Sequence, residues 1–295
     1  MAVTAVAAPL PARGLVGARI WRIPLDRPGD PGRWRCLSEA ERRRAMRFAA
    51  PGERRRYVVA HAALRTLLGR LCGVPPERLA FGAEDGGRPR LDPSCLPPGD
   101  RKPPPDFNLS HSGDWALVAV APPGERVGVD VERIRADLDH DELARRMYQP
   151  EEAARVSRAG LGEYFRLWTA KEAYVKATGV GLAGLRDVLV RETGVACETG
   201  AACETGVVRV TGAACEIGDA REAGVVRDTG TAYETGAAWG VGDGARPDRA
   251  EVLSLSAGSE ARPVHWLDVA PGYAAAVVTV PSRQAHARQA QGVRS

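Results

Sequence analysis

The sequence predicts an α/β fold of the α+β kind, on three observations. Short runs with strand-like alternation, of which residues 127–132 (VGVDVE) are the clearest, interleave with longer runs of helical periodicity. Two of the helical runs, residues 57–72 and 163–178, stop at Gly73 and Gly179, and glycine is the residue best suited to close a helix in the left-handed conformation. With 44% hydrophobic and 26% charged residues, the 295-residue chain has a globular composition and enough length for a sizeable core.

Taken in order, residues 18–23 form a short strand. Residues 38–48 read as a helix, with Ser38 as its cap and Glu41 three residues on, the signature of a capping box. In residues 57–72, Val58, Ala62, Leu64, Leu68 and Leu71 recur near 3.6-residue spacing. Residues 82–105 are rich in Pro and Gly and are expected to be turns. Residues 115–121 and 127–132 are strands on either side of Pro122, Pro123 and Gly124, which is a hairpin signal. Helices are expected at 142–148, 151–158 and 163–178. Strands follow at 188–191, 251–256, 264–269 and 273–280, and the polar tail from 281 is expected to fray.

One segment stands apart. Residues 192–245 fall into nine six-residue units, beginning ETGVAC, ETGAAC, ETGVVR, each with glycine third. A left-handed hexapeptide β-helix would need a bulky aliphatic side chain at a fixed inward position, and no position is regularly Leu or Ile. The preferred reading is a duplicated stretch of coding DNA inserted as a flexible, low-complexity loop. Three of the six cysteines fall inside it and carry little independent meaning.

Charge and cysteine usage exclude several classes. A net charge of +4 without an aromatic-studded basic stripe does not suit a nucleic-acid protein. No Cys-x-x-Cys pair or other metal-ligand spacing occurs. No stretch approaches the roughly 20 apolar residues of a membrane span, and the N-terminus lacks the basic segment of a secretory signal. A reduced, cytoplasmic protein without membrane contact is expected. Of 41 basic residues only Lys102, Lys171 and Lys176 are lysines, so each lysine invites a question about its use.

Three segments carry chemistry. On a strand, Gly128, Asp130 and Glu132 share a face opposite Val127, Val129 and Val131. Two carboxylates at that spacing suit a hard divalent cation such as Mg²⁺, although an ordinary solvated face would look the same. On the helix at 163–178, Trp168, Glu172 and Lys176 lie on one stripe, where Glu172 could add a third carboxylate and Lys176 a cation. A surface i,i+4 ion pair is the plain alternative there. The run FNLSHSGDW (107–115) sets Ser110, His111 and Ser112 before a glycine and a strand, a turn suited to a phosphate. A Ser-His-Asp hydrolase fits poorly, because the Gly-x-Ser-x-Gly elbow is absent and Ser110 and His111 are sequence neighbours.

In order and spacing, FNLSHSGDWALVAVA, VGVDVE and LWTAKEAYVKATGVGL together resemble the 4′-phosphopantetheinyl transferases, and most closely their larger, Sfp-type branch. The likeness is strong from Phe107 to Leu182. It extends weakly to RTLLG (65–69), Gly87-Arg88-Pro89 and LDVAPGYAAAVV (267–278).

The resemblance implies two similar lobes related by a pseudo-two-fold, each a small, mainly antiparallel sheet packed with helices, with coenzyme A in the cleft between them. The lobes would span 1–122 and 123–283, the second interrupted by the repeats at 192–245, with a polar tail at 284–295. The implied reaction moves 4′-phosphopantetheine from coenzyme A to a serine of an apo acyl or peptidyl carrier protein and releases adenosine 3′,5′-bisphosphate. Asp130, Glu132 and Glu172 would hold Mg²⁺, or Mn²⁺ in its place, and Lys176 would add a cation on the same oxygens. Ser110 and His111 match the segment contacting the nucleotide phosphates, while Arg65, Thr66 and Arg88 match other positions lining the coenzyme A site.

Arg44 is a further candidate there, with Arg42 and Arg43 competing. The base for the carrier serine is Glu172, Glu152 or a metal-bound water. Asn108 would shape a turn and Trp168 would pack the helix. Arg145, Arg146 and Arg155 offer a basic face for an acidic carrier. A monomer is expected, since one chain supplies both halves. A coenzyme A-binding module without transfer activity and a Mg²⁺-dependent phosphohydrolase are the competing functions.

Overall fold

The computed structural model describes residues 7–12, 14–26, 31–84, 87–98, 103–192, 250–254 and 261–282. The repeats from residue 193 on, Lys102 and the polar tail lie outside the described residues.

The first half of the chain builds a sheet of β1 (Ala8–Pro9), β2 (Arg19–Pro24), β5 (Phe107–Ser112) and β6 (Trp115–Val120), antiparallel in the order β1-β2-β6-β5. Helix α3 (Pro51–Cys72) covers one face. Pro51 starts it, since a missing N–H costs nothing in the first turn, and Gly73 ends it at φ 67° with its N–H on the Gly69 carbonyl. Leu64, Leu68 and Val59 of α3 pack on Ile23, Phe107, Ala116 and Val118. The short helices α1 (Pro31–Cys36) and α2 (Glu39–Ala45) precede it, and Ser38 and Glu41 form the expected capping box. Helix α1 was not legible in the sequence. Nor were β3 (Phe81–Ala83) and β4 (Pro89–Leu91), a two-stranded ribbon within the segment read as turns.

The second half builds a five-stranded antiparallel sheet, in the order β7-β11-β10-β9-β8, from β7 (Glu125–Arg133), β8 (Val188–Glu192), β9 (Ala250–Ser254), β10 (Arg262–Trp266) and β11 (Tyr273–Pro281). Helices α4 (His140–Met147), α5 (Pro150–Ala159) and α6 (Leu161–Thr178) join its core through Ala144, Val156, Leu167, Ala170, Ala173 and Ala177. Strands β8 and β9 are direct neighbours, with Glu192 opposite Ala250.

The hairpin expected around Pro122–Gly124 does not form. Strand β6 already has β2 and β5 as neighbours, while β7 pairs with β11, so the turn passes the chain from one sheet to the other. What joins the two sheets is β5 against β7. The Asp106, Asn108, Ser110 and Ser112 side chains accept from the backbone N–H of Val127, Val129, Val131 and Arg133 at 2.8, 3.0, 3.4 and 3.1 Å. We call this row of side-chain rungs the seam. Asn108 is one of its rungs and shapes no turn.

The alternation in β7 divides its side chains as expected. Val127, Val129 and Val131 bury against Leu117, Ala119 and Val277, and Gly128 faces α6. A Cβ at Gly128 would lie 1.8 Å from the Ala173 carbonyl oxygen and 2.6 Å from Ala177 N, inside the helix backbone. Gly128 therefore lets α6 lie flat on β7 and brings Glu172 and Lys176 beside the strand's carboxylates. Gly128→Ala is expected to cost about 3 kcal/mol, because neither backbone can yield without displacing α6. Urea denaturation checks this, and a loss below about 1 kcal/mol would show that the helix slides freely.

Candidate active site

The carboxylates of β7 meet the carboxylate and ammonium of α6 at the seam. Asp130 is 2% exposed, and its Oδ1 accepts from Ser110 Oγ at 2.7 Å and from Lys176 Nζ at 2.5 Å. Its Oδ2 is buried with no hydrogen-bond partner among the described residues. Glu132 accepts from Ser112 Oγ at 2.8 Å. Glu172, one turn before Lys176 on α6, lies 4.0 Å from its Nζ. The spacing on strand and helix thus brings together the residues it pointed to: Asp130, Glu132, Glu172 and Lys176.

The charge of this cluster is out of balance. Burial pushes the Glu132 carboxyl up to about 7, with Asp130 and Glu172 adding to the rise and Ser112 and Lys176 opposing it. Burial likewise pushes Glu172 up to about 7, against the pull of Lys176 and with the push of Asp130. Desolvation pulls the Lys176 ammonium down, but Asp130, Glu172 and Glu132 together reverse it and leave a net rise. Three carboxylates share one ammonium.

This donor set fits a divalent cation. The oxygens are hard ligands, the charge deficit is of the right sign, and Asp130 Oδ2 is an orphaned buried acceptor. Among the described residues no three acidic, His or Cys side chains close tightly on one point. Lys176 holds the position beside Asp130 instead, so a cation would be received by side-chain movement.

Several residues matched by sequence are placed elsewhere. Glu152 is fully buried and cannot meet a carrier serine. Its oxygens take Lys171 Nζ at 2.6 Å, Val190 N at 2.9 Å and Gln149 N at 3.0 Å. Arg65 is 1% exposed and spends its guanidinium on Glu41 Oε2 and the Pro76 and Leu79 carbonyls, over the Phe81 ring. Thr66 bonds the Ala62 carbonyl within its own helix. Arg88 is buried and donates to Asp106 and to the Phe107, Val127 and Lys176 carbonyls, which ties β4 to β7 and α6. None of the three lines an open surface. Ser110 sits on β5 rather than in a turn, and its hydroxyl proton is committed to Asp130. Arg155 turns inward to Glu163 and the Val190 carbonyl, which leaves the expected basic face weaker by one arginine.

Arg44, at the end of α2, is exposed, as is His111 on β5. Both act electrostatically on His61 of α3, a residue the sequence reading passed over. Burial is the main cause that pushes His61 down to about 4; Glu41 and the Tyr57 carbonyl oppose it, and His111 and Arg44 add to it. His61 stacks on Tyr57 with ring centroids 3.8 Å apart. The available signal was rarity, since two of only five histidines meet here.

Residues 126–199 match the family profile described as the 4′-phosphopantetheinyl transferase superfamily, and residues 32–123 match the one described as 4′-phosphopantetheinyl transferase, N-terminal. The chain is 38% identical over 180 residues to the 4′-phosphopantetheinyl transferase HetI of Nostoc sp., covering 59% of this chain and 73% of that one. The chain belongs to the 4′-phosphopantetheinyl transferase superfamily. A putative 4′-phosphopantetheinyl transferase of Synechocystis sp. is 34% identical over 60% of this transferase and 71% of its own length. The 4′-phosphopantetheinyl transferase Sfp of Bacillus subtilis is 29% identical over 56% and 72%. The Sfp-type resemblance read from the motifs holds for this transferase, as does its assignment as an enzyme that transfers phosphopantetheine to carrier proteins. Among the described residues no helix is long and apolar enough to cross a membrane.

Proposed function

We propose that the seam site is where this transferase moves 4′-phosphopantetheine from coenzyme A to a carrier serine, releasing adenosine 3′,5′-bisphosphate. The observation that carries the assignment is the gathering of Asp130, Glu132 and Glu172 around a single ammonium, with one buried carboxylate oxygen left unpartnered. Phosphoryl transfer needs charge neutralised and reactants positioned more than it needs covalent help from the protein. Asp130, Glu132 and Glu172 would hold Mg²⁺, or Mn²⁺ in its place. A bound divalent cation would supply Lewis-acid charge at the pyrophosphate of coenzyme A.

This chain's own residues do the rest. Lys176 carries positive charge at the same place, and its movement off Asp130 frees an oxygen. Arg44 and His111 present a cation and an imidazole at the α2–α3–β5 corner, where phosphate oxygens of coenzyme A can be received. With Glu152 of α5 sealed against Lys171, Glu172 or a metal-bound water is left among the candidate bases for the carrier serine's proton. Arg145 and Arg146 remain on the outer face of α4, suited to an acidic carrier. We read the enzyme as a cytoplasmic monomer of two lobes, 1–122 and 123–283. In support of a monomer, one chain supplies both sides of the seam.

The test is intact-protein mass spectrometry of an apo carrier incubated with the full chain, coenzyme A and Mg²⁺. A mass gain of one phosphopantetheinyl group is expected. Free phosphopantetheine without modified carrier would point to a hydrolase, and unchanged coenzyme A to a binding module.

A further inference from the structure

Two seam rungs differ from the others. Asp106 and Asn108 accept from β7 through carboxylate and amide oxygens. Ser110 and Ser112 accept from a β7 amide and also donate, each to the carboxylate one residue earlier on β7. Ser112 Oγ takes Arg133 N at 3.1 Å and gives its proton to Glu132 Oε2 at 2.8 Å. Ser110 Oγ takes Val131 N at 3.4 Å and gives its proton to Asp130 Oδ1 at 2.7 Å. A hydroxyl has one proton to donate. An amide N–H takes one lone pair of each hydroxyl, and at Ser110 Lys176 Nζ also donates to the oxygen at 3.2 Å, so the proton is turned toward the carboxylate.

The two carboxylates are not held alike. Asp130 is also gripped by Lys176, whereas among the described residues Ser112 is the one hydrogen-bond donor to Glu132. Glu132 has three side-chain torsions and is only half-buried, so without that bond it could sample several rotamers. The bond occupies Oε2, and Asp130 and Glu172 lie close enough to act electrostatically on the same carboxylate.

We propose that Ser112 is a positioning residue: it orients Glu132 so that one chosen oxygen is offered to the divalent cation, and Ser110 does the same for Asp130. The inference rests on the metal reading above. Hydrogen-bond partners of metal-binding groups commonly change metal affinity 10–100-fold when removed. A residue that only zipped the two sheets together would change stability and leave metal affinity alone.

The experiment measures Mn²⁺ binding to the full chain, with no other ligand, by the loss of the free-ion electron paramagnetic resonance signal. Thermal unfolding of the same samples runs beside it. Ser112→Ala is expected to weaken Mn²⁺ binding about tenfold, and Ser112→Thr, which keeps the hydroxyl, to restore it to within about twofold. If Ser112→Ala does not fold, Ser112→Cys, with its weak thiol donor, carries the same comparison. Unchanged Mn²⁺ affinity in a folded Ser112→Ala, whatever its melting point, overturns the positioning role while the metal reading stands. Asp130→Asn checks the latter: wild-type binding that Asp130→Asn abolishes supports it. No Mn²⁺ binding by the wild type overturns the metal reading and the role of Ser112 with it.

Discussion

Glu172→Gln is expected to fold like the parent chain and to lose at least about two orders of magnitude in transfer rate, the scale found when a charge-stabilising group is removed from a reacting centre. The amide preserves the shape of the side chain on α6 and removes one of three negative charges around Lys176. It also removes the carboxylate proposed above as a base for the carrier serine. Quantified carrier modification checks the rate, and a loss of less than about tenfold would take Glu172 out of the reaction.

Stability should move the other way. The folded protein holds the Glu172 carboxyl up near 7, chiefly by burial, above its ordinary value of 4.5. The folded state therefore binds more protons between those values, and stability from this group is lost as pH rises through about 7. Without added metal, the melting temperature of Glu172→Gln should fall less between pH 5 and 8 than the parent's.

Lys171→Met should be the most damaging substitution outside the site. Lys171 and Glu152 are both fully buried, 2.6 Å apart. The ammonium also donates to the Val188 carbonyl at 2.5 Å and lies 4.9 Å from the Tyr148 ring centroid, and Glu152 takes the Val190 amide. One pair thus bolts α5, α6 and β8 together, directly beside Glu172. Burial pushes the Lys171 ammonium down while Glu152 holds it up, so the pair stands or falls together. Removing one partner strands the other charge, at a cost of about 3–5 kcal/mol, or on the order of 10 °C in Tm. Pairing the change with Glu152→Gln should recover part of that loss, because the stranded carboxylate is gone. A single-variant loss below about 1 kcal/mol would show that water reaches Glu152.

Local periodicity made much of this protein legible. Two-residue alternation put Gly128, Asp130 and Glu132 on one face, and four-residue spacing put Glu172 and Lys176 on one stripe. Those inferences need only the geometry of a single element. What was misread depended on contacts between elements. In α3, buried residues follow one another from Val59 to Gly69 with only His61 part-exposed, so the pattern could not show that Arg65 and Thr66 face inward. The run RTLLG matched by its letters, and its helix face decided otherwise. Pro122, Pro123 and Gly124 did mark a reversal, but strand partners were set by neighbours about 100 and 150 residues away in sequence. The lysine question had two answers: Lys176 reached the site, and Lys171 became a structural bolt. Ser112 was read only as part of a phosphate turn, because its partners lie 20 and 21 residues away on another strand.

The seam also bears on how the chain behaves before it is fully folded. Strand β7 is nine residues long and rich in valine, and one of its two edges meets side chains where another strand would normally lie. If the halves part, four amides in a row stand open on a strand that readily pairs with another copy of itself. Asp106, Asn108, Ser110 and Ser112 thus guard against self-association during folding as well as shaping the folded site. Substitutions that weaken these rungs would then reveal themselves first as turbid refolding, at protein concentrations where the parent chain stays clear.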